Sequence, residues 1–396
     1  MLDHGVLPLE DQPPASDAAP KPAAPCEPAP NQPVTGILPS QELRRLCGQG
    51  AIRAVDPITE DQIQPASLDL RLGAVAYRVR ASFLPGEGAT VRQKIDALAM
   101  HELDLAGGAV LEKGCVYIVP LKENLDLRKR YAGIGNPKSS TGRLDIFTRL
   151  ITDHASAFDT VRSNYKGPLY AELSPRTFSV VVREGDRLCQ LRLRYGSPSS
   201  SGAALWRLHE EVGLTDADLE RKDIADGRLP LTVDLAGMPP DHVVGYRAKP
   251  HADLIDVSRV GHYAASDFWD PVRADPGRRL ILNPGDFYIL VSKETVKVPP
   301  THAAEMVAYD TLFGEFRVHY AGFFDPGFGD ETADGAGSRA VLEVRSHEVP
   351  FLLEDGQPVG SLVYERLATE PDKLYGAGIG STYQRQGLAL AKQFKR

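Results

Sequence analysis

The chain has 396 residues, of which 42% are hydrophobic, and carries a net charge of −8 from 45 basic and 53 acidic side chains. That length holds two domains with sizeable cores. The mixed, slightly acidic charge argues against a surface that coats nucleic acid, which needs a basic field. Cys26, Cys47, Cys115 and Cys189 are widely spaced, without a C-x-x-C, so neither a disulfide framework nor a zinc site is suggested and a reducing cytoplasm is expected. The first residues are acidic and broken by proline, and no apolar run can span a bilayer, so no membrane association is expected.

Residues 1–35 are rich in Pro and Ala and cannot bury enough apolar surface to offset their ordering entropy; a disordered tail is expected. Order is expected from Gly36, with Ser40 as N-cap of a short helix over 41–48 whose Leu43, Leu46 and Cys47 follow helical spacing. In Gln64-Pro65-Ala66-Ser67-Leu68-Asp69-Leu70-Arg71-Leu72-Gly73 the leucines alternate with polar residues, which predicts a half-buried strand. Further strands are expected at 75–79, 111–119, 144–150, 169–173 and 178–182, punctuated by Gly and Pro. Short strands at this spacing with few helices indicate a mainly β protein, a sandwich or barrel. Residues 198–204 read as a linker, 205–226 as a charged amphipathic helix, and strands resume at Leu229.

The second half repeats the first. Leu111, Gly114, Tyr117-Ile118 and Lys122-Glu123 recur as Leu282, Gly285, Tyr288-Ile289 and Lys293-Glu294, a constant offset of 171 residues (Leu111 to Leu282). The same offset carries Glu172 onto Glu343 and Gly185 onto Gly356. Several coincidences at one offset indicate a tandem duplication, hence two barrels of like topology. The expected division is 36–197, first barrel; 198–204, linker; 205–370, second barrel; and 371–396, a closing tail.

The copies differ where chemistry is expected. Gly135-Asn136-Pro137-Lys138-Ser139-Ser140-Thr141-Gly142-Arg143 combines small residues, two hydroxyls and an arginine fork, groups that together cradle an anion, although Ser-Ser beside Gly is also an ordinary turn. It is not a P-loop. At the repeat offset stand Asp310, Thr311 and Gly314, so the second copy lacks the cradle. That copy instead has Ala321-Gly322-Phe323-Phe324-Asp325-Pro326-Gly327-Phe328, a turn with aromatic flanks able either to stack on a base or to fill a core; the first offers only Ala155-Ser156-Ala157-Phe158-Asp159-Thr160.

Gln64 to Gly73, Lys138 to Leu144, Ala321 to Phe328 with Val341-Leu342-Glu343-Val344, and Tyr383-Gln384-Arg385-Gln386-Gly387 resemble the dCTP deaminase branch of the dUTPase-like superfamily over most of 36–396, as two diverged copies. Lys138 stands where the family's Arg-Ser-Ser-x-x-Arg pattern begins with arginine. The resemblance implies two tandem dUTPase-like barrels of distorted jelly-roll type and a zinc-independent hydrolysis of dCTP to dUTP and ammonia. His209-Glu210-Glu211 fits the H-x-E of zinc deaminases, but their P-C-x-x-C is absent from the sequence. A carboxylate is then the general base: Glu343 or, in the first copy, Glu172. Ser139 orients water and Arg143 brings positive charge to the reacting site. Lys138 and Ser140 bind phosphate, with Tyr375 and Gln386 from the tail; Asp325 and Phe328 border the sugar, and backbone groups near His319 and Ala321 read the base. Thr382 stands where the tail's lysine is expected. Mg²⁺ is expected through the triphosphate, with no protein-held metal and no zinc. The implied partner is dCTP, with a homo-oligomer built of barrel trimers. Barrel 1 then gives the cradle and barrel 2 the glutamate, or like barrels pair Arg143 with Glu172 of another chain; the Asp-Pro-Gly turn and the tail favour Glu343. Alternatives are a bifunctional deaminase and dUTP diphosphatase, a plain dUTPase, and an inactive nucleotide-binding regulator.

Overall fold

The computed structural model describes residues 34–198, 200–237, 240–308, 316–318, 322–333, 335–346, 348–376 and 387–395. The Pro/Ala-rich 1–33 lies outside them, as do His319, Ala321, Thr382 and Gln386 among the expected site residues, and Asp310, Thr311 and Gly314 at the offset of the cradle.

The first half is organised on the strand Val116–Asp126. It lies antiparallel to Lys166–Pro175 on one side and Val75–Val79 on the other, with Ile146–Thr152 and Ala99–Asp104 outermost. A second sheet centres on Cys189–Tyr195, which pairs with Gly36–Ile37, Leu68–Leu70 and Tyr131–Pro137. Alternate residues of the two sheets, Val119, Leu121 and Leu173 with Leu68, Leu191 and Leu193, meet in one buried core. The second half repeats the plan. Phe287–Val296 pairs with Ser338–Ser346 and Gly245–Ala248; Pro358–Arg366 lies between Leu229–Thr232 and His302–Ala308. Leu231, Leu290, Leu342 and Leu362 belong to its core.

The duplication extends to single hydrogen bonds. Glu172 sits opposite Ile118, and Glu343 opposite Ile289. The Tyr117 hydroxyl accepts the Glu112 N–H at 3.0 Å, and the Tyr288 hydroxyl accepts the Asn283 N–H at 3.1 Å. Gly114 and Gly285 turn at φ 78° and 76° and donate to the Pro175 and Ser346 carbonyls. A left-handed turn of that kind is why both copies keep glycine there.

Several local expectations are corrected. Ser40 is the first residue of the helix Ser40–Gly48, not its cap; Pro39 caps it, and the Ser40 hydroxyl donates to Asp372. The leucine-alternating strand is Leu68–Leu70, and it is buried on both faces. One oxygen of Asp69 is held there by Lys138, and Arg71 is paired with Glu123. The stretch 111–119 is split by a turn between Ala109–Leu111 and Val116–Asp126. The helix over 205–226 is Gly202–Val212, stopped by left-handed Gly213 at φ 63°; a short 3-10 turn, Arg221–Ile224, follows. It starts inside the stretch expected to be linker. The helix Val91–Leu98, capped by Thr90, was not expected.

The two halves are joined by more than the connecting chain. The segment 249–264, between Gly245–Ala248 and Ala265–Phe268, lies along the first barrel. Ile255–Asp256 pairs in parallel with Val180–Val182, and Arg183 grips the Asp256 carboxylate with two hydrogen bonds of 2.7 and 2.8 Å. Ile255, Val257, Trp269 and Phe287 thereby extend the core of the first barrel rather than that of the second.

Candidate active site

At this seam lies a cavity of about 450 Å³. The first barrel lines it with Lys138, Ser139, Ser140 and Arg187, the second with Phe323 and Asp325. A recess of about 60 Å³ shares Lys138, Ser139, Asp325 and Tyr375 with it and reaches Arg143 and Glu343.

The cradle is built by a chain reversal. The strand Tyr131–Pro137 ends at proline, Lys138 caps a single helical turn, Ser139–Gly142, and the Thr141 and Gly142 amides return to the Lys138 carbonyl at 2.8 and 3.0 Å. One turn puts Ser139 on the walls of both cavities while Ser140 lines the larger. Lys138 is held by the buried Asp69 of the leucine-rich strand, which explains why that sequence stretch and the cradle occur together. Arg143 follows the turn. It is buried, its Nε stands 3.7 Å from Glu343 Oε1, and its Nη1 donates to the Ala389 carbonyl at 3.2 Å.

Glu343 comes from the middle of Ser338–Ser346 and is buried at the seam. Burial pushes its carboxyl up to about 7, against the opposing pull of Arg143. Behind this pair lies a second link between the barrels: Asp145, at φ 54°, accepts from Arg345, and Thr177 Oγ1 donates to the same Asp145 oxygen at 2.6 Å.

Asp325 is tied across the seam. Arg192 of the first barrel donates to its Oδ1 at 3.0 Å and to the Ala304 carbonyl at 2.8 Å, and stacks 4.0 Å from the centre of the Phe323 ring. Burial nevertheless raises the Asp325 carboxyl. The Asp-Pro-Gly stretch forms a turn in which Gly327 has φ 95°; a Cβ there would lie 3.0 Å from the Tyr375 carbonyl. The flanking aromatics divide their work. Phe324 and Phe328 meet edge to face at 5.0 Å within the barrel core, Tyr375 packs on Phe328 at 5.6 Å, and Phe323 lines the cavity.

The sequence-expected residues therefore separate. Lys138, Ser139, Ser140, Arg143, Asp325, Phe328, Tyr375 and Glu343 converge on the two connected spaces. Glu172 does not join them within the chain. It accepts from Ser82 at 2.7 Å and faces Arg149 and Asp159 of its own barrel. His209 caps its helix, its Nδ1 accepting the Leu214 N–H. Among the described residues no cluster of three or more His, Cys, Asp or Glu is placed to hold a metal, and no helix is long and apolar enough to cross a membrane. Sequence reasoning missed Arg187, Arg192, Arg345 and Lys392. Arg192 alternates with apolar residues and reads as solvent-facing; only docking of the second barrel buries it.

Comparison with known proteins fits this construction. The family model for the N-terminal domain of 2′-deoxycytidine 5′-triphosphate deaminase matches residues 34–197, and that for its C-terminal domain matches 201–394. The scaffold is thus a pair of dUTPase-like β-barrels in tandem. A crystal structure of 2′-deoxycytidine 5′-triphosphate deaminase from Agrobacterium tumefaciens superposes with a TM-score of 0.80 at 52% identity, covering 84% of this chain and 99% of that one. A protein of Beutenbergia cavernae named dCTP deaminase, dUMP-forming, is 30% identical over 183 residues, 44% of this chain and 90% of the relative. One of the same name from Halobacterium salinarum is 34% identical over 125 residues, 31% of this chain and 60% of that relative. The chain belongs to the dCTP deaminase family.

Proposed function

We propose that the protein hydrolyses dCTP to dUTP and ammonia without zinc, in a site that each chain completes from its two barrels. The observation that carries this reading is the meeting of Arg143 from the first barrel with Glu343 from the second at 3.7 Å, in a recess that shares Lys138, Ser139, Asp325 and Tyr375 with the larger cavity. The triphosphate lies along Lys138, Ser140 and Tyr375, the sugar against Asp325 and Phe328, and cytosine C4 enters the recess.

Water, oriented by Ser139, attacks C4 as Glu343 takes its proton and passes it to N3. Arg143 stabilises the charge that develops in the tetrahedral intermediate. A second proton, carried from the new hydroxyl by Glu343, reaches the amine. The C4–N4 bond breaks, ammonia leaves and the C4 carbonyl of uracil remains. A carboxyl that titrates near neutrality suits a group that accepts and returns protons. Mg²⁺ arrives with the triphosphate, coordinated mainly by phosphate oxygens and water. Asp69 Oδ1 and Gln393 Oε1, buried acceptors on the cavity wall without a hydrogen-bond donor among the described residues, fit the hydration shell of such an ion.

The names of the relatives from Beutenbergia cavernae and Halobacterium salinarum favour one second reading, in which dUTP is cleaved onward to dUMP and pyrophosphate. Ammonia and pyrophosphate are measured with dCTP, CTP and dUTP, with chelator and then with Mg²⁺. Ammonia from dCTP is expected after chelation of zinc and restoration of Mg²⁺; pyrophosphate accompanying it selects the second reading. Arg143→Ala is expected to lower ammonia release by about 100-fold or more; a wild-type rate in that variant would overturn the site.

A further inference from the structure

Arg143 and Glu343 are opposite charges, both buried, yet they do not close on each other. Arg143 Nε stands 3.7 Å from Glu343 Oε1, beyond the length of about 2.7–2.9 Å usual for a charged hydrogen bond. Two residues further along each segment, a second pair of opposite sign joins the same two elements: Arg345 donates to Asp145. Glu343 and Arg345 are two apart in Ser338–Ser346, so they project from one face of that strand. Arg143 and Asp145 meet that face from the first barrel. The pairs are two rungs of one ladder, with the charges reversed between them.

The outer rung is held at both ends. Arg345 also donates to the Gly285 carbonyl and, at 2.8 Å, to Thr177 Oγ1, and it lies 5.8 Å from the centre of the Phe287 ring. Asp145 accepts from Thr177 Oγ1 at 2.6 Å, and its carbonyl accepts the Arg176 N–H at 2.9 Å. Its own N–H returns to the Gly142 carbonyl at 2.8 Å and so continues the cradle turn. The duplication does not explain this rung. At the repeat offset, Ser174 corresponds to Arg345 and Phe316 to Asp145, so the pair belongs to the seam and not to the plan of either barrel.

A buried arginine and carboxylate left free to move close into direct, often forked contact. Closure here would narrow the recess that Arg143 and Glu343 line, and would pull the Glu343 carboxyl down. The opposite is found: burial outweighs Arg143, and the carboxyl stands at about 7. Among the described residues the charged groups facing Glu343 are Arg143 and Asp145. Arg345 follows on its own strand, and apolar Ile289 stands opposite on the neighbouring one.

We propose that Asp145 and Arg345 are a positioning pair, which fixes the cradle turn against the glutamate strand so that Arg143 and Glu343 stay near each other without closing. The kinetic consequence rests on the deaminase reading above; the spacing itself does not.

Arg345→Met/Asp145→Asn removes both charges of the outer rung and strands neither. Ammonia release from dCTP and melting temperature are followed from about pH 5 to about pH 9. The double variant is expected to lower kcat about tenfold or more, with KM within about threefold of wild type. Its acid limb in kcat/KM should move to lower pH by more than about one unit, further than in Asp145→Asn, which keeps an acceptor for Arg345. The fall in stability that a raised Glu343 carboxyl causes between about pH 4.5 and 7 should vanish as well. Arg345→Lys, which keeps a charge on Asp145, is expected to restore most of kcat and the position of the limb. Arg183→Met breaks another arginine–aspartate link between the barrels, and should lower the melting temperature without moving kcat or the limb. If the double variant does not fold, Thr177→Val, nearly the same shape, is expected to show its pattern in weaker form. An unmoved limb with kcat within twofold, in whichever of the two folds, overturns the proposal, as does the same kinetic pattern in Arg183→Met. If the wild-type protein releases no ammonia from dCTP or CTP, the function reading fails separately and the melting profile decides the spacing alone. Loss of the pH-dependent decline in the double variant then supports the positioning pair, and a decline like that of the wild type overturns it.

Discussion

Glu172 and Glu343 stand at the same register of corresponding strands, opposite Ile118 and Ile289, and their surroundings have been built in opposite senses. In the first barrel the segment 80–90 turns back over its own carboxylate. Ser82 donates to Glu172, Gly86 N–H bonds the Ala155 carbonyl, and Phe83 packs on the small core formed by Tyr77, Ile118 and Tyr170. Arg149 occupies the remaining space, bonded to Asp159 at 2.6 Å and stacked on Phe147 at 4.7 Å. In the second barrel the corresponding segment, 249–264, reaches away to pair with Val180–Val182, and its Val257 and Ser258 become a wall of the larger cavity. The glutamate it leaves uncovered is met instead by Arg143. One duplicated segment thus closes one pocket and opens the other. That divergence, more than the glutamates themselves, leaves Glu172 within its own barrel and Glu343 on the wall of the recess.

The largest effect should come from setting the two glutamates against each other. Glu343→Gln keeps size and removes the proposed base, and is expected to lower ammonia release from dCTP by 10² to 10⁴, roughly the range for a positioned general base. Glu172→Gln is expected to leave kcat within about twofold, because Glu172 is buried and held by Ser82 within its own barrel, away from Arg143. Steady-state assays of both variants decide the matter; equal losses would mean that Glu172 also serves a site, across a contact between chains.

The aspartates beside these glutamates give the next contrast. Asp159 is paired inside its own barrel by Arg149, whereas Asp325 is paired across the seam by Arg192. Removing one partner of a buried pair strands the other charge and costs about 3–5 kcal/mol. Arg192→Met should therefore lower the unfolding free energy by about 3 kcal/mol and also raise the KM, since Asp325 lines the larger cavity. Arg149→Met, at a pair more open to water, should cost less than about 1 kcal/mol and leave the KM alone. Denaturant titration with parallel kinetics separates the two. In Arg192→Met/Asp325→Asn, recovered stability without recovered KM would show that the carboxylate itself contacts the nucleotide.

How much of this was legible beforehand follows from where the information lies. The repeat at offset 171 was visible because Gly114/Gly285 and Tyr117/Tyr288 serve the same local turn in both copies, and local turns write themselves into sequence. The cradle was visible for the same reason: Lys138 to Arg143 are contiguous and form one helical turn. The choice between Glu172 and Glu343 was less visible, because it depends on which way a segment between strands swings, and neither 80–90 nor 249–264 carries a motif for that. Arg192 and Arg345 were invisible altogether. Arg192 is an ordinary strand arginine buried against the other barrel, and Arg345 is one whose partners Asp145 and Thr177 lie there. The leucine-rich strand is half-buried by its pattern for a related reason: Asp69 and Arg71 look like a wet face, but both are buried and pair with Lys138 and Glu123.

The finest distinction is in titration. Glu343 has its carboxyl raised from 4.5 to about 7. The base must be ionised to activate water, so kcat/KM should rise with pH and level off above a midpoint near 7 in the free enzyme. Stability runs the other way. A carboxyl raised on folding favours the protonated native state, so its contribution falls as pH climbs from about 4.5 to about 7. Glu343→Gln should escape that decline, and its melting temperature above pH 7 should match or exceed that of the wild type. Asp145 adds the smallest lever. Its negative charge raises the Glu343 carboxyl further, and it sits at φ 54°, a backbone conformation asparagine tolerates. Asp145→Asn should therefore move the acid limb of kcat/KM to lower pH by less than about one unit. Glu172, whose carboxyl is also raised by burial, has no Asp145 beside it and no part in that limb. A limb that stays put in Asp145→Asn but shifts in Arg149→Met would assign the titration to the closed pocket and reverse the roles of the two barrels.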